Sequence, residues 1–297
     1  MDLKDELKRV YKGKIFFDQS LSEYTTLKIG GRADYFALPE SLKSFSELLD
    51  LCKKRRTKYA IIGNGSNLLV SDKGFRGMII STERLNRVYV DGETVKAMSG
   101  TLLSDLIKCA EEHNLTGIEN LSGIPATVGG ATVMNAGAFG GTIGERILFV
   151  EVLKPGKVDR VYNKDCNFSY RKSRFTGKNE VIASVTLKLK SDAEKRVKER
   201  AEEFKKKRTA AFPKGRSCGS VFKNPCGVSA GKLIDSAGLK GYRIGGARVS
   251  ESHGNFIIND GTATASDVIE LIKTIKDAVY KHSGVRLHEE VIRLGEF

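Results

Sequence analysis

Tyr59-Ala-Ile-Ile-Gly-Asn-Gly-Ser-Asn67 reads as a short apolar strand that runs directly into a glycine loop. Gly63 and Gly65 allow the left-handed backbone and the close main-chain approach that a Cβ forbids. Successive N–H groups of Gly63, Asn64, Gly65, Ser66 and Asn67, with the Ser66 and Asn67 side chains as added donors ahead of Leu68, would form a nest for an anion. The same residues also suit an ordinary tight turn. They are not a GxGxxG dinucleotide fingerprint, because Leu68 stands where the last glycine belongs.

A second segment is richer still in glycine: Gly117–Gly144 holds eight glycines in 28 residues. It contains Ser122-Gly123-Ile124-Pro125-Ala-Thr-Val128-Gly129-Gly130-Ala131, then Asn135-Ala136-Gly137-Ala138, and no charged side chain between Leu121 and Ile143. Such a stretch is either a packing loop or a place where bare main chain closes on a large planar or diphosphate ligand. Gly227-Val-Ser-Ala-Gly231-Lys232 is not a P-loop, since three residues separate its glycines and Leu233 replaces the hydroxyl residue.

Outward from these loops the pattern alternates. Apolar Leu42, Phe45, Leu48, Leu49 and Cys52 predict a helix over Ser41–Arg56. Strands are expected at Gly77–Ile80, Arg87–Val90 and Thr94–Met98, the last two joined by an Asp91-Gly92 hairpin turn. Thr101 is the expected N-cap of a helix carrying Leu102, Leu103, Leu106, Ile107 and Ala110. Leu148–Leu153, a Pro155-Gly156 turn and Val158–Tyr162 form another hairpin, and Glu180–Lys190 a further strand. Towards the C-terminus, Ser229 caps a short helix ending at Gly238, and Val249 and Phe256–Asn259 suggest strands. Thr264 and Asp267 form a capping box before a long helix, and Val285–Leu294 is a last strand. The class is α+β.

The 297 residues suit two or three domains, and a hydrophobic fraction of 40% supplies an ordinary core. The amphipathic start, Met1 to Val10, lacks the apolar run of a secretory signal, and no stretch approaches the roughly 18 apolar residues of a membrane span, so a cytoplasmic protein is expected. Five widely spaced cysteines, Cys52, Cys109, Cys166, Cys218 and Cys226, argue against a disulfide framework or a zinc site. The net charge of +14 fits either nucleic acid or anionic small molecules. The most basic run, Ser191–Arg208, has eight basic and five acidic residues, so the excess is diffuse. Its pairs Asp192/Arg196, Glu194/Lys198, Glu202/Lys206 and Glu203/Lys207 read as a solvated helix face. Small anions are the better match, and no metal or nucleic acid is expected.

Several blocks together resemble the UDP-N-acetylenolpyruvoylglucosamine reductase family: Gly30-Gly-Arg-Ala-Asp34, the two glycine segments, Ser169-Tyr-Arg171, Gly219-Ser-Val-Phe-Lys-Asn-Pro225, Ala230-Gly-Lys-Leu-Ile234, Gly238-Leu-Lys-Gly241, Ile244-Gly-Gly-Ala247 and Glu290-Val-Ile-Arg293. The glycine blocks recur in flavoproteins of the vanillyl-alcohol-oxidase type; the Ser220 and Glu290 blocks are narrower and decide the substrate. The spacing between Arg171 and Ser220 resembles the short form, without an inserted substrate-capping loop.

The resemblance implies a PCMH-type, two-part FAD-binding region over 1–205, its core about 28–192 and split near 83. It further implies a substrate-binding domain over 206–284 and a returning strand over 285–297 that carries Glu290. FAD would meet Gly63 to Leu68, Ser122 to Pro125, Val128 to Ala131 and Asn135 to Ala138, with its diphosphate on the Gly63–Asn67 nest. NADPH and UDP-N-acetylglucosamine enolpyruvate would alternate in one site of a monomer.

By the same resemblance, hydride from reduced FAD goes to the terminal enolpyruvyl carbon, Arg171 and a protonated Glu290 steady the enolate-like carboxylate, and Ser220 delivers the proton. Tyr170, Lys223, Asn224, Lys240 and His253 would line the substrate site, although His253 also suits a core position. Relatives carry a lysine and a proline shortly before the serine block. Arg208-Thr-Ala-Ala-Phe-Pro213 departs from that pattern, and an arginine does not replace a lysine freely at a phosphate site.

Overall fold

A computed structural model describes residues 3–11, 13–154, 157–178, 180–225 and 227–297. The Pro155-Gly156 turn and Cys226 read from the sequence lie outside the described residues. The chain forms two compact units. The first comprises 1–17, 35–64 and 77–208, the second 18–34, 65–76 and 209–297.

Two apolar cores build the first unit. One contains Leu7, Phe45, Leu48, Cys52, Met78 and Ile80. It lies by a sheet ordered Lys14–Ser20, Arg32–Leu38, Phe75–Ser81, Tyr59–Ile62, whose last two strands are parallel. The helix over Leu42–Lys54 covers it, opened by a Ser41–Ser44 capping box. The other core gathers Leu106, Leu121, Val128, Val150, Phe175 and Val185. Its antiparallel sheet runs Lys157–Tyr162, Ile147–Lys154, Val181–Lys188, Thr94–Met98, Val88–Asp91. The third of these strands, Val181–Lys188, is buried at every position but its last, because Val181 and Ala183 face one core while Ile182 and Val185 face the other.

The expected cap at Thr101 is not observed. Leu102 holds the N-cap position of the helix Leu103–Glu112 with no side-chain cap, and the Leu103 N–H donates instead to the Ala126 carbonyl at 2.9 Å. A main-chain acceptor from the second glycine segment thus replaces the hydroxyl.

The second unit packs the helices Ala230–Ser236 and Ala265–Ser283 with a sheet ordered Arg243–Ile244, Ala247–Val249, Ile257–Asn259 around Ile234, Leu271, Ile275 and Val279. Thr264 and Asp267 form the expected capping box, and Gly284 closes the long helix at φ +70°. Asp72 adds a second cap: its carboxylate accepts from the Ala265 N–H (2.7 Å), the Ser266 N–H (3.0 Å) and the Ser266 hydroxyl (2.9 Å).

The strand expected over Val285–Leu294 shrinks to Ile292–Leu294, which pairs in parallel with Leu68–Val70. Upstream of it, Glu289 and Glu290 meet the chain around Phe222 through isolated bonds, so no regular ladder forms. Among the described residues, no helix is long and apolar enough to cross a membrane.

Candidate active site

In the first unit the strand Tyr59–Ile62 delivers Gly63 and Asn64 onto the second glycine segment. The Asn64 amide donates to the Pro125 carbonyl at 2.7 Å, and a Cβ on Gly63 would collide with the Thr127 hydroxyl. Thr127 accepts from the Gly130 N–H and caps the short helix Val128–Val133. The Val128 and Gly129 N–H groups donate to the Thr101 and Ser99 carbonyls at 2.7 and 2.8 Å. Gly129 is therefore needed for packing, since a Cβ there would press on Ser99. Gly130 and Gly123 are exposed, and Gly123 turns at φ +77°.

Asn135 is buried and uses both ends of its amide, accepting from the Gly144 N–H (3.1 Å) and donating to the Ser169 carbonyl (3.0 Å). It thereby joins the glycine segment to the turn Ser169–Lys172, whose ends exchange two main-chain hydrogen bonds. Arg171 lies in that turn at φ +53°, a left-handed conformation that only glycine adopts without cost. Its Nη1 donates to the Gly137 carbonyl at 3.0 Å, and its guanidinium lies 5.6 Å from the centre of the exposed Tyr170 ring.

Arg208 donates from Nε to the Ser122 carbonyl at 3.0 Å and lies over the Phe139 ring. Burial, and secondarily the charge of Arg171, push its pKa down to about 10, which still leaves it charged at neutral pH. Two like charges near one another favour an anion beside them.

One support of this segment escaped sequence reasoning. Glu119 is buried and accepts from the Thr116 hydroxyl and the Gly117 N–H, both at 2.6 Å, and from Arg200 Nε at 3.1 Å. Burial alone would raise its pKa, but the hydrogen bonds outweigh that and hold it below the ordinary value of 4.5. Glu119→Gln is expected to lower stability by about 2 kcal/mol at neutral pH, read as a lower urea midpoint with unchanged slope. A depressed folded pKa gives stability that is complete above the unfolded value and lost as pH falls through the folded one. The deficit of the variant should therefore shrink below pH 4.5.

In the second unit the first loop continues through Gly65, buried at φ +62°, and Ser66 to Asn67. Asn67 donates from Nδ2 to the Glu290 carbonyl (3.1 Å), and its own carbonyl accepts the Ile292 N–H (3.0 Å). The Glu290 N–H donates to the Val221 carbonyl at 2.8 Å, and Ser220 bridges Phe256. The structure thus brings Asn67, Ser220 and Glu290 onto adjoining main-chain segments of this unit, the latter two partly buried.

The other expected residues of this unit are more dispersed. The Lys223 N–H bonds the His288 carbonyl at 2.9 Å. The Asn224 side-chain oxygen accepts the Ala230 N–H at 3.0 Å, and Lys240 pairs with Asp235 at 2.6 Å. His253 packs with Phe212 and Phe256, ring centres 5.5 and 4.9 Å away, and its Nδ1 accepts the Asn255 N–H. Desolvation, opposed by a main-chain hydrogen bond and aided by the charge of Lys240, lowers its pKa below 6.5.

Residues 211–294 match the family described as UDP-N-acetylenolpyruvoylglucosamine reductase, C-terminal domain, and residues 33–158 match an FAD binding domain family. The UDP-N-acetylenolpyruvoylglucosamine reductase of Moorella thermoacetica is 41% identical over 99% of this chain and 98% of its own. The chain belongs to the UDP-N-acetylenolpyruvoylglucosamine reductase family. The reductase of the same name from Streptococcus pneumoniae (strain JJA) is 39% identical over all of this chain and 99% of its own. The crystal structure of the family's Thermus caldophilus reductase superposes with a TM-score of 0.81 at 35% identity, covering 95% of this chain and 99% of that one.

As members of this α+β reductase family, the residues at hand fit FAD. Ser122 Oγ is buried with no hydrogen-bond partner among the described residues, in the loop where exposed Gly123 bares the main chain. The segment from Leu121 to Ile143 carries no charged side chain of its own.

Proposed function

We propose that this chain uses NADPH and bound FAD to reduce UDP-N-acetylglucosamine enolpyruvate to UDP-N-acetylmuramate, a step of peptidoglycan precursor synthesis. The observation that carries the reading is the main-chain link between the two narrow motifs, the Glu290 N–H on the Val221 carbonyl, which fixes the neighbour of Ser220 against Glu290.

Ser122, Gly123, Gly130 and the Gly63–Asn67 loop would hold FAD. When bound, FAD would supply the two-electron chemistry that carries hydride from NADPH to the terminal carbon of the enolpyruvyl double bond. Charge then builds towards the substrate carboxylate. Arg171 steadies it as a cation, and Glu290 does so only while it holds a proton, because an ionised carboxylate would repel it. Ser220 Oγ gives its proton to the carbon that bears the carboxylate. A serine is a weak acid, and the transfer works because the developing carbanion is a strong base held at fixed distance. Tyr170, Lys223, Asn224, Lys240 and His253 line the substrate site. Lys240 exchanges Asp235 for the diphosphate. Both substrates are multiply anionic, which suits the diffuse positive charge. The chain acts as a monomer in the cytoplasm, where NADPH and UDP-sugars are made.

Steady-state turnover in deuterated water tests this reading. NADPH oxidation should require the enolpyruvyl sugar, and the product should carry one solvent deuterium on the carbon next to the carboxylate. NADPH oxidation that ignores the sugar would reject it. Arg208→Met should weaken flavin binding about tenfold, the worth of one charge-assisted hydrogen bond to the Ser122 carbonyl. Flavin fluorescence quenching measures this.

A further inference from the structure

Ser220, Val221 and Phe222 do not belong to a regular strand, yet they are held on two sides by single bonds. On one side, Phe222 bridges Glu289 and the Val221 carbonyl takes the Glu290 N–H. On the other, Ser220 bridges Phe256, and almost everything else comes from one residue, Asn255.

Asn255 is 3% exposed. Its Oδ1 accepts the Phe222 N–H at 2.9 Å and its Nδ2 donates to the Phe222 carbonyl at 2.8 Å. Its main-chain carbonyl accepts the Val221 N–H at 2.9 Å, and its own N–H is anchored on His253 Nδ1 at 3.2 Å. The side-chain amide thus stands in for the peptide group that a neighbouring strand would offer Phe222. Gly254, just before it, has no room for a Cβ, which would press on the Gly231 carbonyl at 2.6 Å. Any other side chain would leave at least one buried main-chain group of Phe222 without this partner.

We propose that Asn255 is a positioning residue that sets Ser220 against Glu290 and so governs proton delivery without touching the substrate. The kinetic half of this proposal rests on the reductase reading above; the structural half does not.

Asn255→Asp keeps the shape and the acceptor but sets a carboxylate oxygen against the Phe222 carbonyl. In anaerobic stopped-flow, flavin reduction by NADPH should stay near the wild-type rate. Reoxidation by UDP-N-acetylglucosamine enolpyruvate should slow about 10–100-fold, as expected for a donor displaced by less than about an ångström. Its solvent isotope effect should also rise above that of wild type. Parallel loss in both half-reactions, or loss in neither, would overturn the proposal.

Should that variant not fold, Asn255→Ser, which is smaller and uncharged, carries the same test. Amide exchange on the wild-type protein separates the two readings. The Phe222 N–H should be as protected as the core strand Ile257–Asn259 although it lies outside any strand. Fast exchange there would refute the positioning role whatever the substrate. Wild-type reduced flavin that ignores the sugar would instead refute the reductase reading.

Discussion

Ser220→Ala is expected to leave flavin reduction by NADPH near the wild-type rate while slowing flavin reoxidation by the enolpyruvyl sugar roughly 10²–10⁴-fold, the usual worth of a placed proton donor. The fold should not suffer. The bonds around Ser220 run through main chain, from its bridge with Phe256 to the Glu290 N–H on the Val221 carbonyl, and alanine keeps them all. Only the hydroxyl is lost. NADPH reduces the cofactor without any proton from Ser220, so the two half-reactions should separate. Double-mixing stopped-flow reads both in one protein, and equal loss in each would remove Ser220 from the proton-donor role.

Arg171 offers a second test with a large effect, because its backbone and its side chain pull in opposite directions. At φ +53° an arginine is strained by about 1 kcal/mol or more. Replacing it with either glycine or alanine removes the guanidinium and should cost about 10²–10³-fold in reoxidation rate, as for loss of one electrostatic donor. Stability should divide the two variants. Alanine keeps the strain and loses the bond to the Gly137 carbonyl; glycine loses that bond but relaxes the turn. Arg171→Gly should therefore be the more stable by about 1 kcal/mol in urea unfolding, despite equal loss of activity. A turn that spends stability to hold a charged side chain is the behaviour expected of a site residue. Equal stabilities would show that the turn carries no strain, and an active Arg171→Gly would remove Arg171 from the reaction.

What could be read in advance was what is local. The long C-terminal helix announced itself through Thr264, Asp267, a 3.6-residue apolar period and Gly284, all within one stretch. The glycine loops stood out because they break every period around them. What could not be read depends on partners far along the chain. Asp72 caps a helix that begins nearly 200 positions later. Leu68–Val70 joins a unit made mostly of residues after 208 because it pairs with Ile292–Leu294. Glu119 and Arg200 each look like an ordinary surface charge until the fold sets them 3.1 Å apart. The Thr101 cap failed for the same reason: a distant carbonyl, Ala126, reached the helix N-terminus. Asn255 gives no signal at all, since an asparagine that completes someone else's main-chain bonding has the same letters around it as one on a loop.

A single turnover tests most directly whether this protein's own flavin reduces the enolpyruvyl ether. Enzyme reduced beforehand and freed of excess NADPH is mixed without oxygen with UDP-N-acetylglucosamine enolpyruvate. The flavin absorbance should return in one turnover, with one UDP-N-acetylmuramate formed per flavin. Flavin that stays reduced in the presence of saturating sugar would contradict it.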